Sequence, residues 1–430
     1  MGRRLVVIGG GAAGFFGAVN AARLDPSLEV ILLEKSSKIL SKVRVSGGGR
    51  CNVTHACFSI PDMVRCYPRG GNFLKRAFPH FFTTDTVSWF QERGVALKTE
   101  PDGRMFPETD RSETIVDCLV REANRYGVQI LLNREVKALR REPGGFVLET
   151  GGASLATGGA HPAAGAHPAA GGPSLAADAV LIACGGFPKA GQFAWMEALG
   201  HSIQPPLPSL FTFNMPGNPL TALMGVSVPD AQVKVLGTKL VERGPVLITH
   251  WGCSGPAILR LSAWGATELA AREYTFTLMV NWVPAHTQDE VRTVFQQMRA
   301  TQGAQTVSRR SLFGLPQRLW LFLAEASGAR EGVRWGDLPA AAQNALIRHL
   351  CADELPVKGK TTFKEEFVTC GGIRLSEVDP ATMGSRLVPG LYFAGETLDV
   401  DGITGGFNFQ HAWTSAYVAA RSIATLEKRS

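Results

Sequence analysis

Residues 5–35 read LVVIGGGAAGFFGAVNAARLDPSLEVILLEK. The apolar run 5–8 predicts a buried strand, the alanine-rich pattern that opens with Ala12 and Ala13 a helix, and the run 29–33 a second strand. Between the first strand and the helix, Gly9, Gly11 and Gly14 stand at G-x-G-x-x-G spacing, the context in which that pattern marks a dinucleotide site. Each glycine has its own task. Gly9 allows the turn, Gly11 lets the backbone approach a pyrophosphate, and Gly14 lets the helix pack closely on the sheet, with phosphates at the positive helix N-terminus. Glu34, followed by Lys35, ends the second strand twenty residues after Gly14. A carboxylate there accepts hydrogen bonds from a ribose and repels a bare 2′-phosphate. A structural glycine turn would account for the glycines but not for the strands, helix and terminal acid around them.

The uncharged run 5–22 has a second reading as a membrane span, which needs about 20 predominantly apolar residues. Clustered glycines break it and Arg23 and Asp25 follow at once, so no membrane partner is expected. The run leads into the glycine turn rather than a small-residue cleavage site, and position 6 is Val6 rather than Ser or Thr. Neither secretion nor myristoylation is expected, and the default location is cytoplasmic. With 430 residues and 45% hydrophobic content the chain can bury more than one core. A net charge of +7 suits anionic cofactors and substrates; without a dense Lys/Arg block, nucleic acid is poorly supported. The eight cysteines include no C-x-x-C pair, which argues against a redox disulfide loop and a zinc ribbon. Cys51, His55, Cys57 and Cys66 fit no usual zinc spacing, so no metal is expected. Oligomeric state is left open.

Beyond Lys35 the chain is polar and glycine-rich, which predicts a connector rather than an immediate second helix. It contains SGGGRCN, that is Ser46, Gly47, Gly48, Gly49, Arg50, Cys51 and Asn52. Such a glycine run lets backbone lie against a flat ligand with its amides aimed at acceptor atoms; a flexible loop is the alternative. Farther on, the pattern predicts a helix over about 113–126 with Ile115, Leu119 and Ala123 on one face, ended by Gly127, then strands at 128–132 and 146–150. Residues 151–172 hold GAHPAA twice in tandem, with too little apolar bulk for a core. His161 and His167 there lack further metal ligands. Short strand-like runs at 210–215, 232–236, 239–242 and 274–280 suggest a small barrel, and 284–350 reads helical, with Val291, Val294, Phe295 and Met298 on one stripe and Leu346, Ile347 and Leu350 on another.

The segment around SGGGRCN resembles a family of bacterial flavoproteins, the NAD(P)/FAD-dependent oxidoreductases that include aminoacetone oxidase-type FAD-binding enzymes. These share a glutathione-reductase-like FAD fold with the fumarate reductase flavoproteins. Also similar are GRMFPETDRSETIVDCLVREANRYGVQI at 103–130, the second half of 189–203, THWGCSGPAILRLS at 249–262, and nearly all of 361–420. The resemblance implies an α/β fold: a Rossmann-type FAD-binding domain over 1–200 and 355–430, with an inserted β-barrel at 201–283 and a helical subdomain at 284–354. Around 187–190 the chain is shorter than the family pattern, and at 151–172 it is longer.

The C-terminal stretch completes the expected site. A strand over 390–396 brings Gly395 and Glu396 beside the first glycine turn, with Gly185 after the strand near 180, and Gly405 and Gly406 precede Phe407, Asn408 and a helix at about 410–424. A helix N-terminus aimed at a flavin stabilises negative charge on the reduced ring. Arg50 is expected to bind a developing enolate or an anionic substrate, and Cys51 and Cys370 to line the flavin face. For His250 both orientation of its turn, supported by a Ser254 cap and Pro256 at the first helical turn, and catalysis stay open. The resemblance implies hydride transfer between FAD and carbon, either reducing an activated C=C bond or oxidising an amine or alcohol. Some members reduce conjugated ring alkenes of bile-acid derivatives, which points to a small-molecule enone. The span 34–46 has no histidine to link the cofactor, so FAD is expected to be noncovalent. With no second fingerprint, NAD(P)H, if used, must dock transiently. The alternative is a noncatalytic, RNA-associated flavoprotein module.

Overall fold

A computed structural model describes residues 2–151, 174–361 and 368–426. The tandem GAHPAA stretch, with His161 and His167, lies outside the described residues. The chain divides into two compact units, Met1–Pro208 with Lys364–Ser430, and Ser209–Phe363.

The first unit is built on five parallel strands in the order Leu391–Phe393, Ala179–Ile182, Arg4–Ile8, Glu29–Leu33 and Gln129–Leu131. Leu5 pairs with Ala179 on one side and Val30 on the other, so the fingerprint strand is central and buried on both faces. That is why it reads as an unbroken apolar run rather than an alternation. The helix Ala12–Leu24 follows it and packs along the last helix, Phe407–Ala424. Small residues make this possible: a Cβ on Gly17 would lie 2.6 Å from the Leu181 side chain and 3.7 Å from Ala416. Phe16 fills the rest of the seam against Trp413 and Trp89, at centroid distances of 5.1 and 4.6 Å. Asn20, fully buried in the same helix, donates to the Phe16 carbonyl and accepts from Trp89 Nε1, so no polar group is stranded there.

A three-stranded meander, Glu135–Glu142, Gly145–Gly151 and Ser174–Ala177, and a small sheet of Thr54–His55, Arg104–Pro107 and Leu97–Thr99 complete the unit with a pair of strands, Ile203–Ser209 and Val368–Ile373. The helix Glu113–Arg125 buries Ile115, Leu119 and Ala123, as its periodicity predicts, and Gly127 follows at φ 70°. The expected connector after Lys35 is corrected in part: Ser41–Gly49 is helical, broken where Ser46 turns extended and Gly47 and Gly48 turn left-handed. The polar composition misleads because Val43 alone anchors this helix to the core.

In the second unit, a seven-stranded sheet runs in the order Asp353–Lys358, Thr275–Asn281, Ser227–Val235, Val241–Thr249, Gly252–Ser254, Thr212–Asn214, Lys360–Thr361. Its strands share one apolar core with the helices Gln288–Gln302, Gln317–Ala326 and Ala340–Cys351. Thr287 and Glu290 form a reciprocal capping box at the start of the first of these helices. At Pro256–Trp264 the expected Ser254 cap is corrected: Gly255, at φ 98°, is the N-cap, no side chain caps the helix, and Pro256 opens it. Gly255 serves because a Cβ there would strike the Pro245 carbonyl oxygen and Leu247 nitrogen.

The tightest approach in the first unit is at the fingerprint. A methyl on Gly14 would stand 1.8 Å from the Gly9 carbonyl oxygen. Gly14→Ala is therefore expected to destabilise the protein by about 3 kcal/mol, the upper end of ordinary overpacking, because backbone cannot rotate away. Urea unfolding of the flavin-free protein measures this, and an unchanged midpoint would contradict the packing.

Candidate functional site

The three fingerprint glycines have different surroundings. Gly9, at φ 113°, approaches the end of the neighbouring strand so closely that a Cβ would meet the Ala183 carbonyl oxygen at 2.4 Å. Gly14 abuts Gly9 itself. Gly11 is at an ordinary φ of −90°, and a Cβ there would meet nothing within 4 Å. Gly9 and Gly14 are glycines for the fold, whereas Gly11 borders open space. It is the N-cap of Ala12–Leu24, and no side chain caps that helix or places an acid in its first turn. The first amides of the helix, carried by Ala12, Ala13 and Gly14, are left to a ligand, the arrangement that binds phosphate.

Glu34 sits beside this turn. Its Oε2 accepts from the Gly10 amide at 2.8 Å and its Oε1 from the amide and hydroxyl of Ser36. A carboxylate has about four acceptor sites, so these bonds orient it and leave capacity for a ribose. Lys35 follows, with its ammonium 5.7 Å from the Phe187 ring centroid.

Across the turn, Gly395 at φ 66° brings its α-carbon so near Ala13 that a Cβ would be 2.9 Å from the Ala13 Cβ. Glu396 Oε2 accepts from Lys42 Nζ at 2.6 Å, and Gly185, at φ 76°, lies against the same oxygen. Glu396 Oε1 is buried with no partner in the described structure. An orphaned carboxylate oxygen is costly unless a ligand donor completes it. Lys42 carried no signal in the sequence because a lysine in a polar connector resembles any solvated lysine. Beneath Gly395, His411 is fully buried and its Nε2 bonds the Gly395 carbonyl at 3.1 Å. Burial holds His411 neutral, pushing its pKa down to about 4.

The second glycine turn opens Phe407–Ala424. Gly405 and Gly406 have φ 128° and 95°, and again the helix has no side-chain cap and no acid in its first turn. With its amide oriented to satisfy its neighbours, Asn52 accepts from the Gly406 amide and donates to the carbonyls of Thr54 and Met105. His55 Nδ1 donates to the Gly405 carbonyl at 3.0 Å while its ring stacks on Phe407, centroids 4.6 Å apart. Asn408 spends its amide on Gly402, donating to the carbonyl and accepting from the N–H. It shapes the preceding loop, and Asn52 and His55 hold the turn.

In the SGGGRCN segment, Gly48 and Gly49 are left-handed with open space at their Cβ positions, whereas Gly47 abuts Phe106. Ser46 Oγ donates to the Val43 carbonyl. Arg50 pairs with Glu100 at 2.6 Å, donates to the Gly47 carbonyl, and lies over Phe106 with its guanidinium carbon 4.0 Å from the ring centroid. The hydrogen bond to Glu100 raises its already high pKa. Cys51 is wholly buried, which pushes its thiol pKa up to about 12, so the expectation that it lines the flavin face is corrected; its backbone is left-handed, at φ 61°. Cys370 is also buried. In the other unit, His250 is exposed and edge-on to Trp251, and its ring nitrogens have no hydrogen-bond partner among the described residues.

FAD fits this set of groups. Its pyrophosphate would take the open space at Gly11 and the uncapped amides, its ribose Glu34, and a hydroxyl donor the orphaned Glu396 oxygen. No helix among the described residues is long and apolar enough to cross a membrane, and no metal-binding cluster occurs among them.

The profile of the HI0933-like protein Rossmann domain matches residues 3–422. The 3-dehydro-bile acid delta(4,6)-reductase of Clostridium scindens is 29% identical over 98% of this chain and 99% of its own. The ribosomal RNA dihydrouridine synthase of Haemophilus influenzae is 31% identical over 97% of this chain and 98% of its own. Among solved structures, the 3-ketosteroid-delta4-(5alpha)-dehydrogenase of Rhodococcus jostii in complex with 4-androstene-3,17-dione superposes with a TM-score of 0.52 at 14% identity, covering 99% of this chain and 97% of that one, which supports the fold.

Because a Cβ at Gly11 would meet nothing, Gly11→Val is expected to cost the flavin-free protein only the loss of a favoured N-cap residue, about 1 kcal/mol, while abolishing flavin retention. The visible flavin absorbance of the purified variant decides it; a fully loaded variant would remove the pyrophosphate from this turn. His411 gives a pH dependence of defined sign. The unfolded chain binds its proton below about pH 6.5 and the native chain only below about 4, so stability falls as pH drops through that window. The slope from this residue is about 1.4 kcal/mol per pH unit, and His411→Gln should flatten urea-unfolding free energy between these pH values.

Proposed function

The chain belongs to the family of the HI0933-like protein Rossmann domain and is an FAD-dependent oxidoreductase, and within that class we propose that it reduces a C=C bond conjugated to a carbonyl. The redox reading rests on two helices that begin at bare glycine turns, with the orphaned Glu396 oxygen between the strand ends. The choice of bond rests on the relatives. A bile-acid delta(4,6)-reductase and a dihydrouridine synthase act on unrelated rings, yet saturating a ring alkene next to a carbonyl serves both names.

Bound FAD supplies reversible hydride chemistry. Glu34, the amides after Gly11 and the Lys42–Glu396 pair would hold it. The positive end of Phe407–Ala424, fixed by Asn52 and His55, stabilises negative charge gathered near it. Hydride adds to the β-carbon of the substrate and a proton to the α-carbon, while negative charge passes through the carbonyl oxygen. We assign that oxygen to Arg50: Glu100 and Phe106 fix its guanidinium, and Nη2 has no partner among the described residues. Exposed His250, in the other unit, and buried Cys370 are given no part in this step. With one dinucleotide fingerprint in the sequence, NAD(P)H docks transiently and leaves before the acceptor enters.

A steroid-type enone is the first substrate class. Uridine in RNA is the second, favoured by 31% identity along almost the whole chain and by the charge of +7. The test is anaerobic stopped-flow absorbance with the half-reactions separated: NAD(P)H should bleach the flavin, and a steroid dienone or a ribosomal RNA fragment should restore it. Arg50→Ala should slow the second half-reaction at least tenfold while leaving flavin content near wild type. Loss of flavin with normal rates on resupply would make Arg50 a cofactor ligand, and reoxidation by neither substrate would refute the proposed bond.

A further inference from the structure

A cleft in the first unit, distinct from the glycine turns, lies between the segment 64–76 and the segment 375–386 and encloses about 860 Å³. Arg65 and Arg76 line one wall and Arg386 the other, and no carboxylate is among the lining residues. Arg76 makes no ion pair among the described residues. Arg65 meets only Asp62, three residues earlier, at 3.2 Å with both side chains more than half exposed, and Arg386 meets Asp379 at 3.7 Å. Exposed pairs of this kind contribute little. Arg76 therefore carries an unpaired charge and Arg65 and Arg386 are held only by exposed pairs that a polyanion can displace, whereas Arg50, Arg69 and Arg93 in the same unit are engaged by less exposed carboxylates.

The floor of the cleft includes Tyr67, Pro68 and Gly70. Tyr67 Oη donates to the carbonyl of Phe407 at 2.7 Å, and Gly70 packs so closely on Val400 that a Cβ would be 2.5 Å from it. The cleft is thus tied by direct contacts to the loop and helix start that hold the second glycine turn. A substrate whose reacting ring lies at that turn and whose remainder is a long polyanion would find its charges met here.

We propose that this cleft binds the sugar-phosphate backbone of single-stranded RNA flanking a uridine presented to the flavin. The arginines provide counter-charges on two walls rather than one focused phosphate site, and the apolar floor suits ribose. This rests on the uridine reading of the substrate. The test uses flavin-loaded full-length protein and a fluorescein-labelled 12-nucleotide ribosomal RNA fragment, with binding followed by anisotropy from low to moderate salt. Arg76→Gln combined with Arg386→Gln should weaken binding about tenfold and reduce the slope of log K against log salt by about 1.4, since each single-strand phosphate contact contributes about 0.7. Flavin content and NAD(P)H bleaching should not change.

Unchanged affinity and slope in the double variant would overturn the proposal. So would unchanged RNA binding with a raised KM for a carboxylated steroid, which would reassign the cleft to a small anion. Dihydrouridine formation by the wild type is measured separately: cleft-dependent RNA binding without it would support the cleft and refute the uridine reading.

Discussion

The contact of Gly14 with the Gly9 carbonyl determines how near the first helix can come to the central strand. Because no side chain separates them, the helix axis points its unpaired amides at the strand end rather than over it. That same approach brings Ala13 within reach of Gly395, so the second strand end and its acid are placed by the first turn. The cradle proposed for the cofactor is a product of backbone proximity at three glycines, and the side chains around it complete rather than create it.

A second set of contacts holds the other glycine turn, and it is polar. Left-handed Gly405 and Gly406 leave amides and carbonyls that no regular element satisfies. Asn52 takes one, His55 another, and Asn408 closes the Gly402 loop just before them. Arg69 forms a bidentate pair with fully buried Asp401 in the same loop. A buried ion pair of this sort adds little net stability but penalises any geometry that breaks it, which suits a loop needing one conformation.

The parts of the site legible in the sequence were those where backbone chemistry limits residue choice. Gly9 and Gly14 of the fingerprint, Gly395 at the strand end and the Gly405–Gly406 turn are positions at which a Cβ would collide or φ is positive, so their spacing carries the information. Glu34 was legible because it ends a strand. Lys42 and His55 were not, since their roles depend on residues hundreds of positions away that only the fold brings close, and His411 was not because its bond to the Gly395 carbonyl, sixteen positions earlier, appears only once strand end and helix are packed. Cys51 was legible as a neighbour of the site but misleading as a side chain: a thiol buried in the ligand-free chain cannot face a ligand. Residues 41–49 show the opposite limit, a helix whose composition gives little sign of it because one valine anchors it.

Glu396 links these observations to stability. One of its oxygens is neutralised by Lys42 from a partly exposed position, while the other is buried and unbonded. An unsatisfied buried acceptor costs about 1–3 kcal/mol, and the cost falls on the ligand-free chain alone if FAD supplies the donor. The uncapped helix starts at Gly11 and Gly406 add to the same imbalance. The ligand-free first unit is thus strained in polarity rather than in packing, since its apolar core is one cluster and its glycine contacts are already made. Cofactor binding then stabilises the fold by relieving groups the chain leaves unpaired, and the linkage grows with free FAD as it does for any ligand that binds only the native state.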